Sequence, residues 1–171
     1  MRIFKRFILP VVLPILVLMV FWACESDDLC DRPVNTPRLV VRFHDVNDAS
    51  SVKPVNNMIV YGKDSNLILT NATTDSIVLP LKIEALSTTF VMVSDAVYDT
   101  TSSTITSGNV ATVTFTYGVE EEFVSKACGF RVVYNTLKAS VESSDDSWIK
   151  SVNVKNTNVR NESSAQIHLY H

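Results

Sequence analysis

Glycine is scarce in this chain, with four residues in 171. That scarcity, with the lack of any internal period, excludes a repeat or β-helix. Beyond Arg2, Lys5 and Arg6 no basic residues cluster. Nucleic acid is therefore not an expected partner, because phosphates need grouped Lys and Arg, and neither is a polybasic membrane contact. Histidine occurs only at His44, His168 and His171. His168 and His171 lie three apart in an expected strand, so they face opposite ways and cannot share a metal; each of the three reads as a solvated imidazole. No serine sits in a Gly-x-Ser-x-Gly setting and no cysteines are spaced Cys-x-x-Cys. The runs Glu120–Glu122 and Asp145–Asp146 lack the alternating ligands and glycine of a calcium loop. They read as solvated faces that discourage edge-to-edge aggregation. Catalysis, a metal and a cofactor are not expected.

What is present begins at the N-terminus. The basic residues at 2, 5 and 6 precede an apolar run, Phe7 to Ala23, which ends directly before Cys24 and the acidic Glu25-Ser26-Asp27-Asp28. Basic, apolar, small, cysteine, acidic is the order of a bacterial lipoprotein signal, with residues 1–23 cleaved and Cys24 acylated. The match departs at Phe21 and Trp22, where such signals carry Leu and a small residue. An uncleaved membrane span is the competing reading, although Phe7 to Ala23 is short for one and holds Pro10 and Pro14. An ordinary cleaved signal with Cys24 as a plain thiol is the third.

Without residues 1–23 the balance is 12 basic against 18 acidic residues, and the remaining length suffices for one domain with a real core. Cys30 and Cys128 are then the only cysteines besides Cys24. In an exported chain they most economically form one disulfide, closing a loop whose chain entropy corresponds to about 4.7 kcal/mol. Residues 25–37 are polar with Pro33 and Pro37 and read as a tether. Tying Cys30 to Cys128 would shorten the free part to the few residues after Cys24 and hold the domain near the membrane.

From Arg38 onward the apolar period is two, which predicts strands. Leu39, Val41 and Phe43 share a face, as do Ile77, Leu79, Leu81 and Ile83, with Pro80 marking an edge strand or bulge. Val113, Phe115 and Tyr117 alternate with Thr112, Thr114 and Thr116, and Phe130, Val132 and Tyr134 are expected to face inward. Further runs are Met58–Tyr61, Leu67–Leu69, Thr89–Val93, Glu121–Ser125, Leu137–Val141, Trp148–Val154 and Ala165–Tyr170. Polar segments at Asp45–Ser51, Asn71–Asp75, Asp99–Asn109, Ser143–Asp146 and Asn156–Ser164 predict the turns. The expectation is all-β: a single antiparallel β-sandwich, Ig-like or related, over residues 38–171. Trp148 opens a strand beside a turn and is the aromatic to probe for ligand binding, with core packing as the plainer role; Tyr98 is a second candidate for an aromatic shelf.

Five segments together, Cys24–Cys30, Thr36–Phe43, Asp75–Leu81, Phe123–Phe130 and Trp148–Lys150, resemble an uncharacterised lipoprotein family of Bacteroidota, a domain of unknown function. The resemblance implies a lipoprotein with a lone β domain and supplies no activity, substrate or catalytic residue. In that bacterial group, acidic residues after the lipidated cysteine resemble a surface-export signal, a role that would fall to Glu25, Asp27 and Asp28. Asp75-Ser76-Ile77 and Asp99-Thr100-Thr101 resemble its O-glycosylation sequons, with Ser76 and Thr100 as acceptors. The expected role is a structural or interaction module, lipid-anchored at the outer membrane on its periplasmic face or at the surface, with an envelope protein as partner. A carbohydrate- or ligand-binding accessory lipoprotein is the alternative, and an enzyme the remote one. Cys24→Ser should abolish metabolic labelling with a palmitate analogue and leave an uncleaved or released form; unchanged labelling would refute the anchor.

Overall fold

The computed structural model describes residues 30, 34–65, 67–142 and 147–171. The signal, Cys24, Glu25, Asp27, Asp28 and the turn expected at Ser143–Asp146 lie outside the described residues. Among those described, every regular element is a strand: β1 Leu39–His44, β2 Val55–Gly62, β3 Ile68–Thr74, β4 Ser76–Leu79, β5 Ser87–Asp99, β6 Thr104–Ser125, β7 Gly129–Val141, β8 Ser151–Val154 and β9 Ile167–Tyr170. They form a four-stranded sheet, ordered β4-β1-β9-β8, and a five-stranded sheet, ordered β3-β2-β5-β6-β7. Asn35–Glu122 with Arg131–His171 make one compact unit, and the hairpin end Phe123–Phe130 groups with Cys30 and Val34 in another.

The larger unit is the expected β-sandwich. Leu39, Val41 and Phe43 of β1, Ile77 and Leu79 of β4, and Ile167 and Leu169 of β9 meet Met58 and Val60 of β2, Phe90 and Met92 of β5, and Val113, Phe115 and Tyr117 of β6 in one buried cluster. Alternation places them there, since residues two apart on a strand share a face. The threonines of β6 lie on its other face, half-buried or exposed. β4 stops at Leu79, before Pro80, and is an edge strand, where a missing backbone donor is harmless. One neighbouring pair departs from the antiparallel expectation: β1 and β9 run parallel, with Val41 opposite Ile167.

At three of the places where strict alternation fails, the break is marked by a non-glycine residue with positive φ. Asn57 (φ 40°) lies between core residues Val55 and Met58, and Asp95 (φ 49°) between same-face residues Val93 and Ala96. Thr136 (φ 50°) lies between core residues Tyr134 and Leu137. Two residues three apart can share a face only if the strand absorbs one extra residue, which is what a bulge does. The ladder shifts register between Val55 and Met58 and between Ser94 and Val97 accordingly.

Several expectations are corrected. Asn71–Thr74 is part of β3, paired with β2, and the turn shrinks to Asp75; polar residues suit this strand because it is an edge. Thr104–Asn109 is likewise strand, which confines the β5–β6 turn to residues 100–103. Ile83 is exposed, because it follows the end of β4 in an irregular segment. Phe130 is exposed rather than inward: it lies at the hairpin end, where its ring meets Phe123 at 5.3 Å. Within Asn156–Ser164, Val159 is fully buried and exchanges both backbone hydrogen bonds with Tyr134, so this segment covers the free edge of β7.

The chain passes from β4 in one sheet to β5 in the other through residues 80–86, whose carbonyls need partners. Tyr134 donates its hydroxyl to the Leu81 carbonyl at 3.0 Å, and Tyr117 donates to that of Lys82 at 2.9 Å. The Tyr117 hydroxyl also meets Thr88 Oγ1 at 2.6 Å, which accepts from the Lys82 amide at 3.0 Å. The two rings pack edge to face, 5.0 Å apart. Burial, with a smaller contribution from Tyr117, pushes the Tyr134 hydroxyl up to about 12, so it stays a donor at any physiological pH. In urea unfolding, Tyr134→Phe should cost about 1–3 kcal/mol by orphaning the Leu81 carbonyl. Phe115→Ala should cost about 3–5 kcal/mol by emptying the core.

Candidate functional site

The outer face of the five-stranded sheet carries a second apolar cluster. Ile59 and Tyr61 alternate with core residues Met58 and Val60, and Val91 and Val93 do the same in β5. The bulge at Asp95 then turns Ala96 and Tyr98 to this face. Tyr61, Ile68, Tyr98 and Ile105 pack, half-buried, on Ile59, Val91, Val93 and Ala96. With Ser103 and Thr104 these four line an open cleft of about 450 Å³. The adjoining turn is fixed by Asp99, whose carboxylate accepts from Ser102 Oγ at 2.7 Å and from the Thr101 amide at 2.8 Å. Those bonds, the Ser102 hydroxyl first, hold the Asp99 carboxyl below its ordinary range. The cleft thus offers two tyrosine rings and the hydroxyls of Ser103 and Thr104, which suits stacking of a sugar ring or an apolar side chain. None of its six lining residues is an acid, a base or a thiol.

Trp148 does not supply that platform. Its ring is half-buried, 6.0 Å from Phe43 and 5.4 Å from His171, and its Nε1 donates to the Met92 carbonyl at 3.2 Å. Packing between the sheets takes up the ring, as its plainer reading had it, and the exposed aromatic edge belongs to Tyr61 and Tyr98. Tyr98 was legible as a candidate; Tyr61 was in view only as one tyrosine among several, although its parity with Ile59 already set it opposite Met58.

The histidines need a correction. His44 is buried rather than solvated, and among the described residues neither ring nitrogen has a hydrogen-bond partner. It stacks on His168 at 4.2 Å because β1 and β9 are neighbours, and Tyr170 lies 5.7 Å away. Burial, followed by His44, Lys155 and Arg42, pushes the His168 imidazole below its ordinary value. Two imidazoles stacked face to face among cations are a poor cradle for a metal. No group of three or more candidate ligands occurs among the described residues. His171 sits on the opposite face, as its spacing from His168 required, against Phe43 and Trp148.

The glutamate run is partly engaged: Glu122 pairs with Arg131 at 2.6 Å and with Arg160 at 2.5 Å, and Glu120 lies 3.4 Å from Arg160. Cys30 and Cys128 form the expected disulfide, with Cα atoms 5.0 Å apart across 98 residues of sequence. Of the two sequon residues, Thr100 is exposed in the β5–β6 turn. Ser76 is half-buried in β4, with its hydroxyl 3.3 Å from the Val41 carbonyl, which makes it the poorer acceptor.

The fold and its surface define an all-β sandwich domain with an aromatic cleft. Residues 54–171 match a family of unknown function (DUF6452), and the chain belongs to that family. The match takes in Asp75–Leu81, Phe123–Phe130 and Trp148–Lys150, and begins after β1. No curated protein matches the chain, and no solved structure does.

Because the folded chain holds the His168 imidazole below its ordinary 6.5, the unfolded chain takes up that proton first as the pH falls. Stability should be complete above about pH 6.5 and decline below it until the folded group protonates too. His168→Asn should flatten that part of the curve in pH-dependent urea unfolding. The carboxylates held low, among them Asp45, Asp99 and Glu162, act in a separate window around and below pH 4.

Proposed function

We propose that this protein is a lipid-anchored envelope lipoprotein whose sandwich serves as a non-catalytic interaction module at the outer membrane. Cys24 would carry the acyl chains, and Glu25, Asp27 and Asp28 would direct the molecule to the cell surface. The observation that carries the reading is the Cys30–Cys128 disulfide, six residues beyond the candidate acylation site. Such bonds persist in exported chains and are rare in the cytosol. The apolar outer face around Tyr61 and Tyr98 supports an interaction role, because it offers packing surface without acid–base chemistry. An envelope protein presenting an apolar or aromatic side chain is the partner this reading calls for.

The paired tyrosines favour one second reading, a carbohydrate-binding accessory lipoprotein in which a sugar ring stacks between Tyr61 and Tyr98. Crosslinking of the native lipidated protein in outer membranes, followed by mass spectrometry, separates the two. Under the first reading a stoichiometric envelope protein is recovered, and Tyr98→Ala reduces its yield by about tenfold. Recovery of the protein alone, with Tyr98-dependent glycan-array binding, would establish the second instead.

A further inference from the structure

The hairpin end Phe123–Phe130 exposes two large aromatic rings side by side. Phe123 is 56% and Phe130 62% exposed, and the rings meet edge to face at 5.3 Å. Leaving such rings in water is unfavourable, and nothing in the local turn requires it. The turn itself is closed by Gly129, whose positive φ of 72° suits glycine, and by Ser125 Oγ accepting from the Cys128 amide at 3.0 Å. The segment Phe-Val-Ser-Lys-Ala-Cys-Gly-Phe holds no acidic residue.

What lies near this end is set by a covalent bond. Cys128, two residues before Phe130, is joined to Cys30, which follows Cys24 by six residues. Six residues reach at most about 20 Å when extended. If Cys24 is acylated, Cys30 cannot stand farther than that from it, and Cys128 in the hairpin end lies only 5.0 Å beyond Cys30.

We infer that the Phe123–Phe130 hairpin end contacts the bilayer that holds the Cys24 acyl chains, with both phenyl rings seated at the membrane–water interface. The inference rests on the lipoprotein reading and adds a second attachment point to it. Phenyl rings bury favourably at the boundary between headgroups and acyl chains, and a segment without acidic residues meets no repulsion from anionic headgroups. The single acyl-bearing residue would otherwise leave the domain free to pivot; a second contact restricts that motion.

The test uses the full-length protein processed in its own host and reconstituted into phosphatidylethanolamine–phosphatidylglycerol vesicles. Phe123→Trp keeps an aromatic ring at an exposed position, and the parent protein, with Trp148 alone after processing, supplies the background signal. Vesicles with brominated acyl chains should quench the emission of the introduced indole at least twofold, once the signal of the parent protein in the same vesicles is subtracted. Mass analysis of Cys24 is made on the same sample. An unquenched indole at position 123 on an acylated protein overturns the membrane contact and leaves the anchor standing. If that indole is also shielded from aqueous acrylamide, a protein partner covers the hairpin end, which overturns the contact equally. A Cys24 without acyl chains overturns the anchor and this inference together. As a second readout, replacing both phenylalanines by Ser should leave the acyl mass unchanged and raise the extraction of the lipoprotein by mild detergent several-fold.

Discussion

The sandwich depends on the carbonyls of the sheet-to-sheet crossover having partners. The segment leaving one sheet for the other reaches a ladder only at its end, where the Leu86 carbonyl accepts from the Tyr117 amide at 3.0 Å, and burying unpaired carbonyls costs as much as losing a hydrogen bond. Tyr117 from β6 and Tyr134 from β7 meet that need through Lys82 and Leu81. Their rings at the same time fill the core between the sheets. Position along the strand is therefore critical, since a ring one residue out of register would face the other side. The bulge at Thr136 falls two residues after Tyr134, so the strand can present Tyr134 in one register and Leu137, Ala139 and Val141 in the next.

A second constraint acts at the other sheet. Gln166 is almost fully buried, and each of its side-chain polar atoms is engaged: Oε1 accepts from the Val40 amide, and Nε2 donates to the Asn161 and Ser164 carbonyls. Its own amide donates to the Val40 carbonyl. One side chain thus continues the β1–β9 ladder beyond its last regular pair and ties down the loop before β9. Arg38 adds a paired contact with Glu162, 2.9 Å and 3.0 Å from its guanidinium nitrogens, at the exposed margin of that loop.

Much of this was legible in the residues. Leu39/Val41/Phe43, Ile77/Leu79/Leu81 and Val113/Phe115/Tyr117 alternate cleanly because their strands run without bulges through the core. Cys30 and Cys128 could be paired by elimination. What stayed hidden depended on tertiary neighbours. Asn71–Thr74 and Thr104–Asn109 look like turns by composition, yet edge position and exposure let polar residues serve as strand. His44 and His168 are far apart in sequence, and their stacking follows from the β1–β9 pairing, which no local pattern announces. The cleft was half legible: Tyr98 was in view as an aromatic, but the residue that turns it beside Tyr61 is a bulged aspartate, and β-bulges carry no dependable composition.

The parallel insertion of β9 also governs the order in which the molecule can be completed. β1 begins at Leu39, but its inner neighbour starts only at Ile167, and the Val40–Gln166 contact spans 126 residues. Until β9 has emerged, β1 has only the short β4 beside it and β8 has no neighbour in its sheet. Pairings of such long range close late, because the loop entropy must be met before any contact forms. A nascent chain of this kind remains without its four-stranded sheet until β9 arrives. Losing β9 would therefore remove two pairings at once, β1–β9 and β8–β9, and leave no connected four-stranded layer.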